Sequence, residues 1–512
     1  IYSLLKAPTT PTNLVNNGDL NISGDQSIGI FASTLDSTGV SIGTTFVQNN
    51  NIITLGNASG INNATIGIFG TEGVDILNAV GSQISGGNNV VGIYSEKGTV
   101  KHDSAINLGD NSVGIYISAG NATIDSGASI SVGSTGAVAL YANARGTIIN
   151  DSSSISVGTG SVLGYSKDSG TLLDNRGNLS IGTESVGFYS SGGEITNSGN
   201  LSSVGDGVVF FYGNNGKITN NGQINGGSNN YGVGIYGKGS VISNTGSIVL
   251  GDSNVLNPSN PSDPSNRYAV GIYGDHSKIS NNGNINIGEN GIGIYSYGQS
   301  GDIMNGSSAM ISSSGDKTIG IMAEVGSGNK VINNGQIILS GRETVGIALN
   351  NGVILENHGL VKVSGDDSIG VLASKNSEVY NYGTIDASGS NTIAVLLKDG
   401  STLVNTGSIN LGNGTLGVVL DSTSTVTGYD GTSIDGVSIK LPSIANVPTY
   451  QIPSIVNSGI IKVGSKFEVP LDGVVKIKVD PDTVRTPTAD EVAKTTDLAA
   501  KFLVSNAVKF IA

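Results

Sequence analysis

From about residue 14 onward, apolar and polar positions alternate in runs of only four or five residues, and Gly, Asn, Ser or Asp closes each run. The stretch KISNNGNINIGENGIGIYSYG at 278–298 packs three such runs into twenty-one positions. A period of two bounded by turn formers specifies short strands with tight corners, and it leaves no room for helices of ten or more residues. One run has the form V/I, small, I/V, aromatic. It reads IGIF from Ile28 and Ile66, VGIY from Val91, Val113, Val233 and Val270, VALY from Val138, VLGY from Val162, VGFY from Val186, VVFF from Val208 and IGIY from Ile292. The series continues as IGIM, VGIA, IGVL, IAVL and LGVV from Ile319, Val345, Ile369, Ile393 and Leu416. Thirteen of the fifteen intervals lie between 22 and 27 residues, and the other two, 37 and 38, mark insertions. Each repeat adds two further runs, x-I-x-N-x-G (KITNNG, VISNTG, TLVNTG) and x-I-x-I/V/L-G (AINLG, SISVG, NINIG).

A unit of about 24 residues with three strands cannot bury its apolar face alone, so neighbouring units must stack. A leucine-rich repeat would need L-x-x-L-x-L-x-x-N and a helical convex side, and neither is present. The expected fold is therefore all-β: a right-handed parallel β-helix, a three-sheeted solenoid of about 24 residues per coil. Residues 1–13 form a lead-in and 14–465 the β-helix, with insertions at 33–46, 252–267 and 423–453. Residues 466–512 form a C-terminal strand and short helix, in which Thr488 and Glu491 make a capping box, as a junction or cap. Period-two parity turns Val113, Ile115, Ile106 and Leu108 inward. In x-I-x-N the Ile and Asn share a face, which puts Asn175, Asn197, Asn220, Asn244, Asn281, Asn333, Asn357, Asn381 and Asn405 on the core side of one corner. The glycine two residues later suits a left-handed corner.

Charged residues are only 12% of the chain, and the net charge of -14 with 25 scattered Lys and Arg disfavours nucleic acid and anionic membrane as partners. With no cysteine, disulfides, thiolate chemistry and Cys-based zinc sites all drop out, which suits passage through an oxidising compartment. The opening IYSLLKAPTTPT has no basic n-region followed by a long apolar stretch, so the sequence reads as a piece of a longer protein.

Candidate chemistry is sparse. His102, His276 and His358 fall in different coils with no metal spacing between them, so neither metal nor cofactor is expected. Outward strand positions are small and polar, as at Asn107, Ser131, Ser156, Ser180, Asn286 and Asn410; the five arginines are isolated, and Asp366 with Asp367 reads as a solvated turn. A polysaccharide-degrading β-helix would line one face with paired carboxylates, so an enzyme is not expected. The fourth slot of the VGIY strand holds Phe31, Phe69, Tyr94, Tyr116, Tyr141, Tyr165, Tyr189, Phe211, Tyr236, Tyr273 and Tyr295, then Met322, Ala348, Leu372, Leu396 and Val419. Parity opposes this slot to the inward Val and Ile. The tyrosines thus form either an outward ladder beside a groove of Gly92, Gly114 and Gly234 that stacks on sugars, or an apolar slot tucked over a corner. Tyr429 and Tyr450, with Pro442, Pro448 and Pro453 in the third insertion, are the other candidate binding residues.

The tandem NxG and SVGIY segments, with fillers such as NNGQI, NTGSI and SGDDSIG, resemble the passenger domains of type V autotransporter proteins, most closely the large fusobacterial adhesins. The resemblance covers roughly residues 14–465. It implies a monomeric passenger on the bacterial cell surface, exported and anchored by an outer-membrane translocator barrel outside this chain. It also implies adhesion to a host-cell or bacterial receptor, glycan or protein. The alternative is a stalk that spaces a distal binding tip.

Overall fold

The computed structural model describes residues 2–4, 12–427, 467–468 and 507–508, with short gaps at 36–40, 42, 60–63, 228–230, 257–266, 300, 325–327, 413–414 and 421–422. Among these residues every regular element is a strand, and none is a helix. The expected C-terminal helix and most of the 423–453 insertion, including Tyr429, Tyr450 and the three prolines, lie outside the described residues. Apart from one antiparallel pair, Phe467–Glu468 with Ala507–Val508, the strands form a parallel β-solenoid in two compact units, whose coils run through Val208 in the first and start at Val209 in the second.

In the first unit one complete coil runs through an aromatic strand, Val113–Ile117, an asparagine strand, Asn121–Ile124, and a third strand, Ser129–Val132. Each strand pairs in parallel with its equivalent in the next coil: Tyr116 lies opposite Tyr141, Ile124 opposite Asn150 and Ile130 opposite Ile155. The second unit repeats the scheme with Val270–Asp275, Lys278–Asn281 and Asn284–Ile287, whose partners in the following coil begin at Ile292, Ile303 and Met310. The core is the set of alternating positions that such stacking closes off from water. Val113, Ile115 and Ile106 are fully buried and Leu108 nearly so. Outward third-strand positions such as Asn107, Ser180, Asn286 and Asn410 are exposed.

Insertions leave the stack undisturbed. Ile28 pairs with Ile66 and Val233 with Val270 in ordinary register despite the long intervals between them. The described base of the second insertion is closed by paired hydrogen bonds of 2.8 Å between Asn254 and Arg267.

Three local expectations need correcting. First, the glycine of N-x-G is not left-handed; Gly177, Gly199, Gly246 and Gly283 are absent from the positive-φ positions. The glycine is needed because a β-carbon on Gly177 would lie 1.8 Å from the Ser152 carbonyl oxygen of the preceding coil, and one on Gly246 1.8 Å from that of Gly222. Left-handed residues instead sit two places before the aromatic strand, at Asn111 (φ 51°), Asn290 (54°), Lys317 (55°), Asp367 (59°) and Asn391 (55°). Second, strict alternation fails inside the aromatic strand. A β-carbon on Gly114 would meet Ile130 Cγ2 of the third strand at 2.7 Å, while one on Gly164, a position later in register, would meet Leu173 Cδ1 of the asparagine strand at 3.1 Å. Two consecutive positions therefore face the interior, and Gly92, Gly114 and Gly234 form no outer groove. Third, the run from Val208 is framed one residue early: Gly207, at φ 68°, stands two before Val209, and the ring in the aromatic slot is Tyr212 rather than Phe211. Three consecutive aromatics made that slot ambiguous.

One irregular coil shows how size is conserved. At Leu163-Gly164 the usual small-then-large order is reversed, and the space beside Gly164 is filled from the next coil by Phe188, whose Cδ1 lies 2.6 Å from where a β-carbon would be. Leu163 and Phe188 are both buried.

The corner geometry gives a direct test. Gly177→Ala forces a β-carbon into a backbone oxygen and should cost about 1–3 kcal/mol, as overpacking does. Gly127→Ala, with nothing within 4 Å of the added carbon, should leave the melting temperature unchanged. Equal melting temperatures for the two variants would contradict the corner packing.

Candidate functional site

The asparagine corner is a polar rail, interrupted in the first unit and continuous from Asn220 to Asn405 in the second. In the first, Asn16 donates through Nδ2 to Asn49 Oδ1 and Asn49 to Asn78, both at 2.8 Å; further on, Asn150 donates to Asn175 at 2.8 Å and Asn175 to Asn197 at 2.7 Å. In the second, the chain Asn220, Asn244, Asn281, Asn305, Asn333, Asn357, Asn381 and Asn405 is linked at 2.7–2.9 Å throughout. The same Nδ2 groups donate to the carbonyl two residues on, as Asn175 does to Gly177 at 3.0 Å. These side chains are at most 2% exposed. A primary amide offers both donor and acceptor along the stack, which is why the slot selects asparagine over any apolar residue of similar size.

His102 and Ile124 take this slot in two successive coils. Asn78 Nδ2 lies 3.2 Å from His102 Nδ1, and His102 Nε2 lies 3.1 Å from the Ser129 carbonyl oxygen. Since an amide N–H donates and a carbonyl accepts, the ring is the neutral tautomer protonated on Nε2. Burial pushes its pKa down to about 4, against a smaller upward pull from the Ser129 carbonyl. It ends one segment of the rail.

The aromatic slot is a ring stack. In the first unit Phe31, Phe69, Tyr94, Tyr116, Tyr141, Tyr165 and Tyr189 follow one another with centroids 4.7–5.3 Å apart. In the second, Tyr212, Tyr236, Tyr273 and Tyr295 are spaced by 4.7–4.9 Å. The expectation of an outward, solvent-facing ladder is not met. Tyr94, Tyr116, Tyr141 and Tyr295 are fully buried, Tyr165, Tyr189 and Tyr273 are buried, and Tyr236 is half-buried. Tyr116 Oη accepts from Asn143 Nδ2 at 2.8 Å, and Tyr295 Oη donates to Glu324 Oε2 at 3.0 Å; both partners belong to the next coil. Burial pushes the Tyr94, Tyr116, Tyr141 and Tyr295 hydroxyls well above the ordinary phenol range. Met322, Ala348, Leu372, Leu396 and Val419 are equally hidden in the same slot, as expected where filling volume matters more than presenting a ring.

Charged side chains form short links between coils on the outer surface. Lys101 Nζ contacts Asp103 at 2.7 Å and Asp125 at 2.9 Å. Burial raises the Asp103 pKa, and the polar contacts with Asp103 and Lys101 lower that of Asp125. Arg176 meets Asp174 at 2.7 Å and Asp151 at 3.8 Å; Arg342 meets Asp367 at 3.0 Å. Arg176 and Arg342 are therefore paired rather than isolated. Asp366 and Asp367 are more than a solvated turn: Asp366 Oδ1 accepts from the Ser390 N–H and Asp367 Oδ1 from Asn391 Nδ2, each at 2.8 Å. No group of three or more His, Asp or Glu with metal-ligand proximity occurs among the described residues.

Residue-pattern reasoning missed one surface feature. His358 and Tyr382 stack outside the rail with centroids 4.8 Å apart and 15° between planes. Both belong to N-x-G triplets, NHG and NYG, where the middle residue reads only as corner filler. Its outward direction follows once the flanking asparagine is known to be buried.

Comparison with known proteins places residues 296–432 as similar to the BigA third pectate lyase-like domain, a match over about a quarter of the chain. No curated protein and no solved structure matches the chain. The matched region lies wholly in the second unit and runs from the coil containing Ile303–Asn305 through Thr425–Thr427. A β-helix of the kind found in passenger domains fits both this similarity and the solenoid.

Two experiments follow. The His102 pKa is about 4 when folded and about 6.5 in an unfolded chain. Between those values the unfolded chain binds the extra proton. Stability is thus fully present above the unfolded value and falls as pH drops toward 4, by up to about 3 kcal/mol. His102→Asn should remove that dependence and raise relative stability at pH 5, measured by urea unfolding from pH 4 to 7. Parallel pH profiles for the two proteins would refute the neutral buried imidazole. Separately, Tyr116→Ser combined with Tyr189→Ser opens two voids in the ring stack and should cost about 3–5 kcal/mol per site, as truncating buried aromatics does. An unchanged melting temperature would mean the rings are not packed as described.

Proposed function

We propose that this chain is a surface-displayed passenger segment of an adhesin, holding a host-cell or bacterial receptor on the outer side of a rigid solenoid. The observation that carries the reading is the similarity of residues 296–432 to a pectate lyase-like domain of BigA, set in coils whose interior slots are occupied by structural ladders. Display at the bacterial surface, export through an outer-membrane translocator barrel and a monomeric state are parts of the same proposal.

The chain acts by binding rather than by catalysis. Glycoside hydrolysis needs carboxyls roughly 5–5.5 Å apart for retention, or 6.5–9.5 Å for inversion. The Asp103 and Asp125 carboxyls are instead both held by the Lys101 ammonium, at 2.7 and 2.9 Å. A stalk function is the second reading, favoured by the small polar residues at most outward third-strand positions, such as Asn107, Ser180 and Asn410.

The test is saturable binding of the labelled, folded chain to a panel of host and bacterial cells, alongside an assay for new reducing ends on polygalacturonate. The expected result is saturable binding to at least one cell type and no cleavage. A folded chain that binds no cell supports the stalk, and release of reducing ends overturns the non-enzymatic reading.

A further inference from the structure

The rail has a direction. In both units each linked amide donates from Nδ2 to the Oδ1 of the following coil, and in the first unit the run Asn16, Asn49, Asn78 ends on His102. The orientation of these amides is fixed twice. Asn49 Oδ1 accepts from the Asn51 N–H at 3.4 Å as well as from Asn16, and Asn78 Oδ1 accepts from Ser82 Oγ at 2.9 Å as well as from Asn49. His102 receives the run through Nδ1 and donates from Nε2 to the Ser129 carbonyl of the next coil. Beyond it the slot holds Ile124, whose side chain can neither take nor give a hydrogen bond.

A second proton on this ring conflicts with that direction. Nδ1 becomes a donor and faces the Asn78 donor 3.2 Å away. Turning the Asn78 amide to offer its oxygen takes the acceptor from Ser82 and Asn49, and the misfit passes back to Asn49 and then Asn16. The charged neighbours lie outside the slot. Lys101 and Asp103 flank His102 in sequence, and Asp125 of the next coil is bound to Lys101 and exerts only a lesser upward pull on the ring. In the preceding coil, the Asp75 carboxylate is taken by the Thr99 N–H at 2.9 Å. The aromatic strands Val90–Ser95 and Val113–Ile117 and the third strands Gln83–Gly86, Ala105–Asn107 and Ser129–Val132 carry no charged residue.

We propose that the junction between the Asn78 and His102 coils is an acid-operated joint: a proton on His102 parts the stack there and opens the coils whose rail it ends, through Gly86, while the coils from Asn150 onward in the first unit stay closed. The direction of the rail decides which side opens, because the misfit runs back toward Asn16 and stops at Ile124 on the other side. Coils of a solenoid touch only their neighbours, so a fault at one junction acts locally and leaves distant coils in place. The device is independent of the adhesin reading. It gives the fold a neutral form with the run closed and an acidic form with the edge of the His102 coil uncovered.

The experiment is hydrogen exchange by mass spectrometry on the full chain at about pH 7.5 and about pH 5, with rates corrected for the intrinsic effect of pH. With the imidazole at about 4 in the closed stack and about 6.5 in the opened one, the opening equilibrium rises about 30-fold between the two conditions. Protection of the strands Thr45–Asn49 and Val74–Asn78 should fall by that factor, and that of Thr147–Asn150 and Leu172–Asn175 should not. His102→Asn has nothing to protonate at this position and should abolish the difference. Glu72 with Lys97 and Asp75 with the Thr99 N–H also cross the junction, and they are common to both proteins, so the comparison isolates the imidazole. Asn78→Asp offers the charged ring an acceptor without turning, since a carboxylate still accepts from Asn49 and Ser82. It should lift the His102 titration midpoint above about 6.5, read from the imidazole C2 proton by NMR with His276→Gln and His358→Gln in place, and keep both strands protected at about pH 5. The parent titration needs no change at the joint, so the test stands whatever the folding of His102→Asn. A parent midpoint near 6.5, equal loss of protection in the two pairs of strands, or the same loss in His102→Asn overturns the joint.

Discussion

A buried primary amide must have a partner for both its donor and its acceptor, and in this protein those partners are supplied by the coils above and below. Leaving one such group unsatisfied costs about 1–3 kcal/mol, so no coil is stable with its corner alone. Stacking in register is the arrangement that satisfies every rail asparagine at once, and register in turn fixes which residues of the aromatic and third strands meet. The spacing that serves the amides, one coil per rung, also brings the rings to 4.7–4.9 Å through most of the two stacks. The two ladders therefore share one geometric cause although their chemistry differs. The rail demands hydrogen-bond symmetry and accepts few substitutes, whereas the aromatic slot demands volume and passes from Tyr295 to Met322 and Ala348 without losing burial.

Much of this could be read from the residues. The three runs, their period and the inward asparagines follow from spacing alone, because strand parity and turn chemistry act over a handful of positions. What escaped were features set by the neighbouring coil. Alternation predicts a ring on the far side from Ile115, yet it cannot say whether that far side meets water, and Tyr116 does not. The glycine of N-x-G looks like a left-handed turn residue, and only the position of the preceding carbonyl reveals that bulk is excluded instead. His102 sits where an asparagine belongs, a substitution visible in the repeat, but its partners at Asn78 and Ser129 come from two different coils. Tyr382 was hidden by its own motif, since NYG and NTG mark the same corner.

These distinctions separate the parts of the coil that can carry recognition from those that cannot. Slots that face the rail or the ring stack are committed to neighbouring coils, and changing them alters the scaffold. The middle residue of each N-x-G triplet faces away from the rail and is released from that commitment, as the sequence Asn334, His358, Tyr382, Thr406 illustrates. A solenoid of this kind can thus vary its outer corner coil by coil while keeping its interior constant, which is the division of labour expected of a scaffold that presents ligand-binding groups.

The exchange at Leu163, Gly164 and Phe188 has a genetic consequence. Repeat arrays grow and shrink by copying or losing whole repeats, and that traffic is harmless only if any coil can follow any other. Here the ring that fills the space beside Gly164 is encoded a full repeat downstream. Deleting the later repeat would leave a hole, and duplicating the earlier one would set a large Leu163 side chain beneath a coil built to receive none. The two coils must be inherited as a pair, so recombination breakpoints that part them should be selected against, even where the flanking repeats remain free to multiply.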